Sequence, residues 1–146
     1  FNPVSSEEAL VKEMGLKYVR FETPDHARPG DDVVDRFVAF VKKLPPQAAL
    51  HFHCRAGKGR TTQFSALYDM IHNAHQVSFE DIVTRQYLIG GSSLMEISQK
   101  SDASWKKEMS EKRLAFLRAF YEYARSPQGY KQITWSQWQR INAPRS

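Results

Sequence analysis

The most informative residues of the chain are a cysteine and an arginine in the segment HCRAGKGRTT, residues 53–62. Five residues, two of them glycine, separate Cys54 from Arg60. An apolar stretch precedes this segment and a helical pattern follows it, so backbone N–H groups and the positive end of a helix converge on one point. Such a cradle binds a phosphate dianion and stabilises a thiolate, and we therefore predict that Cys54 is the nucleophile of a phosphatase.

The neighbours of Cys54 have side chains suited to the same chemistry. Arg60 can direct two N–H groups at two phosphate oxygens, so we expect it to bind phosphate, lower the pKa of Cys54 and stabilise the transition state. We expect Thr61 to donate its hydroxyl to the sulfur, and His53 to fix the loop through backbone hydrogen bonds. The loop residues that we expect to contact substrate are Arg55, Ala56, Gly57, Lys58 and Gly59.

Two other interpretations of this segment are weaker. A lone cysteine is most often a buried structural residue, but here an arginine, two glycines and a helix start accompany it. A nucleotide-binding loop requires G-x4-G-K-[ST], whereas Lys58 is followed by Gly59. A cysteine phosphatase is the interpretation that uses all of these residues.

Hydrolysis of a phosphomonoester also requires an acid that protonates the leaving oxygen. Asp25 lies in a loop, residues 23–30, after the strand that precedes the nucleophile strand. Parallel strands end at one edge of their sheet, so this acid loop should overhang the phosphate site, and we predict Asp25 as general acid and later general base. Asp31 and Asp32 are rival acids, although we expect them to cap a helix. His26 either contacts substrate or faces solvent.

The charge distribution favours anionic partners. The chain carries 21 Lys and Arg against 16 Asp and Glu, a net charge of +5 that by itself identifies no partner. Arg55 and Lys58 add two cations beside Arg60, which suits a ligand with several phosphates better than a ligand with one. A second basic group begins a long helix, in which Lys106 and Arg113 share one face. General basicity and a solvated helix face are the respective alternatives.

The composition is that of one globular domain. The chain has 146 residues, 41% hydrophobic and 25% charged, and no apolar run long enough to span a membrane. The single cysteine excludes an internal disulfide and leaves the compartment open. No spacing of histidine, cysteine and carboxylate indicates a metal site, so we expect no metal and no cofactor. We expect no nucleic-acid partner.

Apolar periodicity and the positions of Ser, Asp, Gly and Pro predict two strands and several helices. The predicted strands are residues 16–21 and 48–53. The predicted helices are residues 5–14, 31–44 capped by Asp31 or Asp32, 61–73, 78–89 capped by Ser78, 105–125 or 110–125, and 135–141 capped by Thr134. We therefore predict that residues 1–146 are the C-terminal catalytic portion of one α/β domain, with a mainly parallel sheet flanked by helices. Two strands are too few for such a sheet, so we expect an upstream segment of the same protein to complete it.

An ordered set of motifs resembles one protein family. HCRAGKGRTT carries the signature of the protein tyrosine phosphatase superfamily, and the wider pattern is similar to the bacterial cysteine phytases, the protein-tyrosine-phosphatase-like myo-inositol phosphatases. The supporting motifs are, in order, PDHARP, DRFVAFVKKLP, LHFHCRAGKGRTT, DMIHN, DIVTRQYLIGG, SWKKE and GYKQITWSQW. They extend from about Leu16 to Trp138, nearly the whole chain.

The resemblance implies a metal-independent phosphomonoesterase that hydrolyses myo-inositol polyphosphates, phytate above all, through a phosphocysteine intermediate. It agrees with the roles of nucleophile, phosphate-binding arginine and general acid given above. It adds contacts to the polyphosphorylated ring from His26, Lys106 and Lys112. It also implies a bacterial protein that is periplasmic, secreted or delivered as an effector. A protein tyrosine or dual-specificity phosphatase, an inositol-lipid phosphatase and a non-catalytic phosphate-binding module are the alternatives.

Overall fold

The structure is a computed structural model that describes residues 18–23, 27–52, 59–89, 91, 93–95 and 104–142. The described residues form five helices. They are α1 (Asp31–Lys42), α2 (Gly59–Asn73), α3 (Phe79–Leu88), α4 (Ser104–Arg125) and α5 (Trp135–Asn142). Helix α2 packs against α3 and α4, while α5 packs against α1 and α4. Helices α2, α4 and α5 therefore each connect two other helices.

Helix α1 is amphipathic, as its apolar pattern predicts. Apolar side chains recur at helical spacing, so one face is buried. The buried residues are Val33, Val34, Phe37, Val38 and Val41. The predicted cap is wrong, because Gly30 is the N-cap and Asp31 and Asp32 lie in the first turn, where their charges favour the positive end of the helix. The helix ends at Lys42, before the Pro-Pro pair.

Helix α2 begins inside the predicted phosphate loop and is buried on most of its surface. Its buried residues are Thr62, Gln63, Phe64, Ala66, Leu67, Asp69, Met70 and Ile71. A helix that is buried nearly all round lies inside a core. Three of these residues, Thr62, Gln63 and Asp69, are polar, and buried polar groups require hydrogen-bond partners.

An ion pair holds α3 against α2. Arg85 donates to both carboxylate oxygens of Asp69, and the amides of Asn73 and Gln86 donate to the same carboxylate at 2.7 and 3.1 Å. Burial alone would raise the pKa of Asp69, but these hydrogen bonds and the charge of Arg85 together lower it below its ordinary value. The carboxylate is therefore a charged group that the folded chain stabilises.

Two of the predicted helix caps are confirmed. Ser78 accepts a hydrogen bond from the amide of Asp81 at 3.1 Å and caps α3. At the start of α5, Thr134 Oγ1 accepts from the amide of Gln137 at 3.1 Å, and Gln137 Oε1 accepts from the amide of Thr134 at 2.9 Å. This reciprocal pair is a capping box, which satisfies two amides near the helix start that have no intrahelical partner.

Trp135 joins α5 to both α4 and α1. It is fully buried, and its ring lies 5.4–5.6 Å from the ring centroids of Phe116, Phe120 and Tyr123. Its indole N–H donates to Asp31 of α1 at 2.9 Å. Aromatic pairs of this kind contribute about 1 kcal/mol each beyond their buried area. Helix α5 therefore connects α1 with α4.

No strand occurs among the described residues. Residues 18–21 and 48–52 of the two predicted strands are described and belong to neither a helix nor a strand. Residues 16, 17 and 53 lie outside the described residues, as does the predicted helix 5–14. The parallel sheet, its completion by an upstream segment and the single domain over residues 1–146 therefore stay predictions.

Candidate active site

Two aromatic residues anchor the segments that lead into the acid loop and the phosphate loop. Phe21 packs against Phe37 of α1 and Phe64 of α2, with 5.4 and 5.9 Å between ring centroids. Phe52 packs against Phe37 and Tyr68 at 6.2 and 6.1 Å. Because both anchors contact Phe37, the chain enters the two loops from neighbouring positions on the α1–α2 pair.

Arg60 connects the start of α2 with the acid loop. Its Nη1 donates to the carbonyl oxygen of Thr23 at 3.3 Å, across 37 residues of sequence. Thr23 immediately precedes Pro24, Asp25 and His26, which lie outside the described residues. A guanidinium carries five N–H donors, enough to bind this carbonyl and a phosphate at the same time.

Gln63, one turn further along α2, binds the chain just after residues 24–26. Its Nε2 donates to the carbonyl oxygen of Ala27 at 3.0 Å, and the residue is only 1% exposed. Ala27 is the first described residue after His26. Side chains of α2 therefore hold the chain on both sides of residues 24–26.

Arg28 joins the acid loop to α1 and α4. It forms an ion pair with Asp31, and its guanidinium lies over the ring of Phe116, 4.6 Å from the centroid. The carboxylate of Asp31 also accepts the indole N–H of Trp135. Asp31, one of the two rival acids, is thus engaged by two structural partners, and the other rival, Asp32, is exposed in the first turn of α1.

Four buried side-chain atoms have no hydrogen-bond partner among the described residues. They are Thr23 Oγ1, Thr61 Oγ1, Gln63 Oε1 and Arg113 Nε. The first three belong to residues of the acid loop, the phosphate loop and the first turns of α2. A buried polar atom that lacks a partner costs about 1–3 kcal/mol. A region that concentrates such atoms is one where a further polar group is expected to bind.

The basic residues of α4 differ in their surroundings. Lys112 is 66% exposed, and its ammonium lies 2.9 Å from Glu108, whose pKa is lowered by the hydrogen bond and the charge of Lys112. Lys106 is exposed, with its ammonium 5.4 Å from the centre of the Trp105 ring. Arg113 is partly buried, and burial lowers its pKa because the charged guanidinium loses hydration.

Sequence reasoning missed Gln63 and Gly91, and it placed Arg113 on one helix face with Lys106 without naming it as a site residue. Arg113 lies seven residues, two helical turns, after Lys106, and this spacing is the signal that could have extended the site to it. Gln63 is polar at a position inside a buried helix. Gly91 is crowded, because an added Cβ would lie 2.8 Å from Thr62 Oγ1. The segment after α3 therefore packs closely on the first turn of α2.

Most of the predicted site residues, including Cys54 and Asp25, lie outside the described residues. Gly59, Arg60 and Thr61 are described at the start of α2, and a Cβ on Gly59 would meet no atom within 4 Å. The predicted site residues outside the described ranges are Asp25, His26, His53, Cys54, Arg55, Ala56, Gly57 and Lys58. Their roles stay predictions.

Three further features of the described residues bear on the site. They include no group of three or more His, Cys, Asp or Glu side chains that could hold a metal ion. Over the same part of the chain, no helix combines the length and the apolar content needed to cross a membrane. An open groove of about 570 Å³ lies between α4 and α5, and none of the predicted site residues lines it.

Comparison with known proteins identifies a family model and several relatives. The model of the PTP-like phytase family, whose description names inositol hexakisphosphate, matches residues 2–72. This range includes the predicted acid loop and the predicted phosphate loop. The effector protein hopD2 of Pseudomonas syringae pv. tomato is 35% identical over 136 residues, 92% of this chain and 29% of hopD2. An uncharacterized protein of Xanthomonas euvesicatoria, AvrBs1.1, is 40% identical over 106 residues, 70% of this chain and 98% of that protein.

Solved structures show similarity over the whole chain. A PTP-like phytase from Bdellovibrio bacteriovorus superposes with a TM-score of 0.86 at 40% identity, over 94% of this chain and 52% of its own. A PTP-like myo-inositol phosphatase from Mitsuokella multacida, in complex with myo-inositol-(1,3,4,5)-tetrakisphosphate, superposes with a TM-score of 0.91 at 40% identity, over 100% of this chain and 24% of its own. The chain thus spans about half the length of the first structure and less than a third of hopD2.

Proposed function

The chain belongs to the PTP-like phytase family, and we propose that it hydrolyses phosphate esters of myo-inositol, with inositol hexakisphosphate (phytate) as preferred substrate and without a metal. The family model and the structural similarity support a phosphatase with the PTP-like phytase fold. A related myo-inositol phosphatase binds an inositol tetrakisphosphate, which supports a small polyphosphorylated ligand. Because the chain spans only part of these relatives, the activity is proposed for the protein that contains it.

In the first step of the proposed reaction, the thiolate of Cys54 attacks phosphorus and the bond to the inositol oxygen breaks. Arg60 binds two equatorial phosphate oxygens and stabilises the charge that develops on them. Asp25 gives its proton to the leaving alkoxide, and a phosphocysteine remains. Thr61 donates its hydroxyl to the sulfur, a role suited to an oxygen that is buried without a partner among the described residues.

In the second step, water attacks the phosphocysteine and inorganic phosphate is released. Asp25, now a carboxylate, accepts a proton from the water while the bond between sulfur and phosphorus breaks. Cys54 leaves as a thiolate, and the enzyme returns to its starting state. Arg55, Lys58 and Lys106 supply positive charge for the phosphates that do not react.

The observation that carries the proposal is the hydrogen bond from Arg60 to the carbonyl of Thr23. It joins the arginine of the Cys-x5-Arg motif to the residue two positions before Asp25. Consecutive Cα atoms are about 3.8 Å apart, so we expect the Cα of Asp25 within about 7.6 Å of the Cα of Thr23. The aromatic anchors of both loops contact one ring, Phe37, which further supports one shared site.

A substrate contact from α4 is assigned to Arg113 rather than Lys112. Lys112 is engaged by Glu108, whereas Arg113 is partly buried and its Nε has no partner in the described part of the chain. Phe116, one turn beyond Arg113, lies under Arg28 of the acid loop. Burial of a guanidinium without an anion is unfavourable, and a phosphate of the substrate would compensate the charge.

A second candidate substrate is a phosphoprotein. The chain is similar to an effector protein over 92% of its length, which favours a bacterial protein that is exported or delivered as an effector. Dephosphorylation of a tyrosine or of an inositol lipid would use the same cysteine and arginine. The three substrate classes differ in the number of phosphates and in what carries them, and this difference makes them separable.

The test is release of inorganic phosphate by the full-length protein that contains this chain, in the presence of EDTA. The substrates are inositol hexakisphosphate, a phosphotyrosine peptide and vesicles that contain a phosphoinositide. Cys54→Ser serves as the blank, because it removes the thiolate and keeps the phosphate-binding loop. We expect strong release from inositol hexakisphosphate, weak release from the other two substrates, and none with the Cys54→Ser variant.

Each other outcome has a definite meaning. Release mainly from the peptide or the vesicles would replace the proposed substrate class. Activity that survives in Cys54→Ser would overturn the cysteine mechanism. Tight binding of inositol hexakisphosphate without any release would make the chain a phosphate-binding module.

A further inference from the structure

Gln63 occupies an unusual position for a glutamine. It lies in the first turns of α2, is 1% exposed, and donates from Nε2 to the backbone carbonyl of Ala27 at 3.0 Å. Its Oε1 is buried and has no partner among the described residues. A buried amide that satisfies only its donor is a costly choice for packing alone, because an apolar side chain of similar volume would avoid the unpaired oxygen. The donated hydrogen bond is therefore the feature to explain.

That hydrogen bond complements the one made by Arg60. Arg60 binds the carbonyl of Thr23 at 3.3 Å, and Gln63 binds the carbonyl of Ala27. Three residues, including Asp25, lie between the two carbonyls. A single attachment would let this segment pivot, whereas two attachments define both ends of its path relative to α2.

We propose that Gln63 is a positioning residue, which fixes the exit of the acid loop so that Asp25 meets the leaving oxygen of the substrate. The inference rests on the proposed function, since it concerns the same reaction. Arg60 sets the entry of the loop and also binds phosphate, so its two roles cannot be separated by substitution. Gln63 has no assigned contact with substrate and acts only through the acid loop.

The decisive variant is Gln63→Met. Methionine has a similar volume and helix propensity, fills the buried space and removes both the donor and the unpaired oxygen. Removal of the unpaired oxygen and loss of the donor to Ala27 have opposite effects on stability, so we expect only a small change in the thermal midpoint. A misplaced general acid matters when the leaving group is a poor one. The value of kcat/KM for inositol hexakisphosphate, which reports the steps up to formation of the phosphocysteine, should therefore fall by about 10–100-fold. With a nitrophenyl phosphate, whose leaving group departs unprotonated, kcat/KM should remain close to that of the wild type.

A matched control is Gln86→Met. Gln86 is also a buried glutamine on a helix, but its amide donates to Asp69 at 3.1 Å, on the α2–α3 contact. Loss of that bond should change stability and should affect the two substrates in equal proportion. Only Gln63→Met should lower activity on inositol hexakisphosphate while it leaves activity on the nitrophenyl phosphate unchanged.

A second measurement does not depend on turnover. Amide hydrogen exchange of the peptide that covers residues 25–28 should be faster in Gln63→Met than in the wild type, and unchanged in Gln86→Met. Unchanged exchange would overturn the attachment. Equal losses of kcat/KM on both substrates, or no loss on either, would overturn the positioning role. If the wild type releases no phosphate from any substrate, the proposed function fails and the catalytic role of Gln63 fails with it, while the exchange result still decides the attachment itself.

Discussion

The contact between α1 and α5 and the start of α2 both contain buried or half-buried polar groups, but the two regions treat them differently. In the α1–α5 contact, these groups bind each other. The indole of Trp135 donates to Asp31, and the amide and hydroxyl of Ser136 both donate to Asp35. The capping box at Thr134 completes the same set. The donors and acceptors of this region are satisfied within the protein.

At the start of α2, by contrast, some buried polar atoms have no hydrogen-bond partner among the described residues. Thr61 Oγ1, Gln63 Oε1 and Thr23 Oγ1 are buried without a hydrogen-bond partner in the part of the chain that the structure describes. Arg60 and Gln63 each donate to a backbone carbonyl of another segment. This arrangement holds a loop in place while it keeps polar atoms for other partners.

The difference indicates that the two regions have different roles, one in stability and the other in function. A region whose polar groups are paired internally contributes stability and needs nothing further. A region that keeps unpaired polar groups gives up stability, and such regions are expected where a ligand or a reacting group completes the hydrogen bonds. Substitutions in the first region should therefore change the free energy of unfolding, and substitutions in the second should change kinetics.

The largest expected effect belongs to Arg60→Lys. Lysine keeps the charge but loses the planar pair of donors, so kcat should fall by about 10³-fold. The free energy of unfolding should change by no more than about 1 kcal/mol, the value of the hydrogen bond to Thr23. Steady-state kinetics and chemical denaturation check the two parts.

Arg36→Lys is the matched control for Arg60→Lys. Arg36 also donates to a backbone carbonyl, that of Arg20 at 3.1 Å, but from the exposed side of α1. The kcat of the Arg36→Lys variant should equal that of the wild type. A comparable loss of activity in both variants would remove the distinction between the regions.

Asp69→Asn should produce the largest change in stability, about 2 kcal/mol at neutral pH, because the charged partner of Arg85 is lost. The folded chain lowers the pKa of Asp69 below its ordinary value of 3.8, so the carboxylate stabilises the fold at every pH above that value. As the pH falls through the lowered pKa, this stabilisation is lost. Denaturation of both proteins at several pH values should therefore show a gap that narrows in acid, and a constant gap would contradict the assignment.

Arg113→Gln tests whether α4 contributes to the site. The KM for inositol hexakisphosphate should rise by about tenfold, equivalent to about 1.4 kcal/mol. Lys112→Gln is the adjacent control and should leave KM unchanged, because Lys112 is exposed and paired with Glu108. A larger effect at Lys112 than at Arg113 would return the substrate contact to the position that the family resemblance implies.

The smallest expected effect is that of Thr134→Ala in the paired region. Loss of the cap should lower the free energy of unfolding by about 1 kcal/mol. Because α5 is remote from the predicted loops in sequence and, in the described part of the chain, packs mainly against α1 and α4, kcat and KM should not change. Any change in kcat without a change in stability would contradict the separation of the two regions.

Sequence reasoning identified the helices well where local signals decide them. Helix α1 has a strong apolar stripe, and α3 and α5 begin at side chains that bind their own first turns, so position and cap could both be predicted. Gly30 as the cap of α1 was not predictable in the same way. The nearby Asp31 is recruited by Trp135, more than a hundred residues away in sequence, and a long-range contact of this kind leaves no local pattern.

The sequence predicts a chemistry for the site, which stays a prediction, but it does not predict the attachments of the acid loop. Spacing alone points to Cys54 and Arg60, because five intervening residues make a phosphate-sized loop. The hydrogen bonds of Arg60 and Gln63 end on backbone carbonyls, and every residue has one, so the sequence contains no signal for the acceptor. The two strands remain predictions, since sheet hydrogen bonds depend on partners that the described residues do not include.

The acceptors of both hydrogen bonds, at Thr23 and Ala27, are backbone carbonyls, so they do not depend on which side chains these positions carry. Every amino acid at positions 23 and 27, even proline, presents a carbonyl to α2, so both positions can change while the loop remains attached. Selection on the attachment therefore acts on the donors at 60 and 63. In a diverging lineage, the acid loop can exchange its residues to suit a new substrate, provided that α2 keeps an arginine and a buried amide at its start.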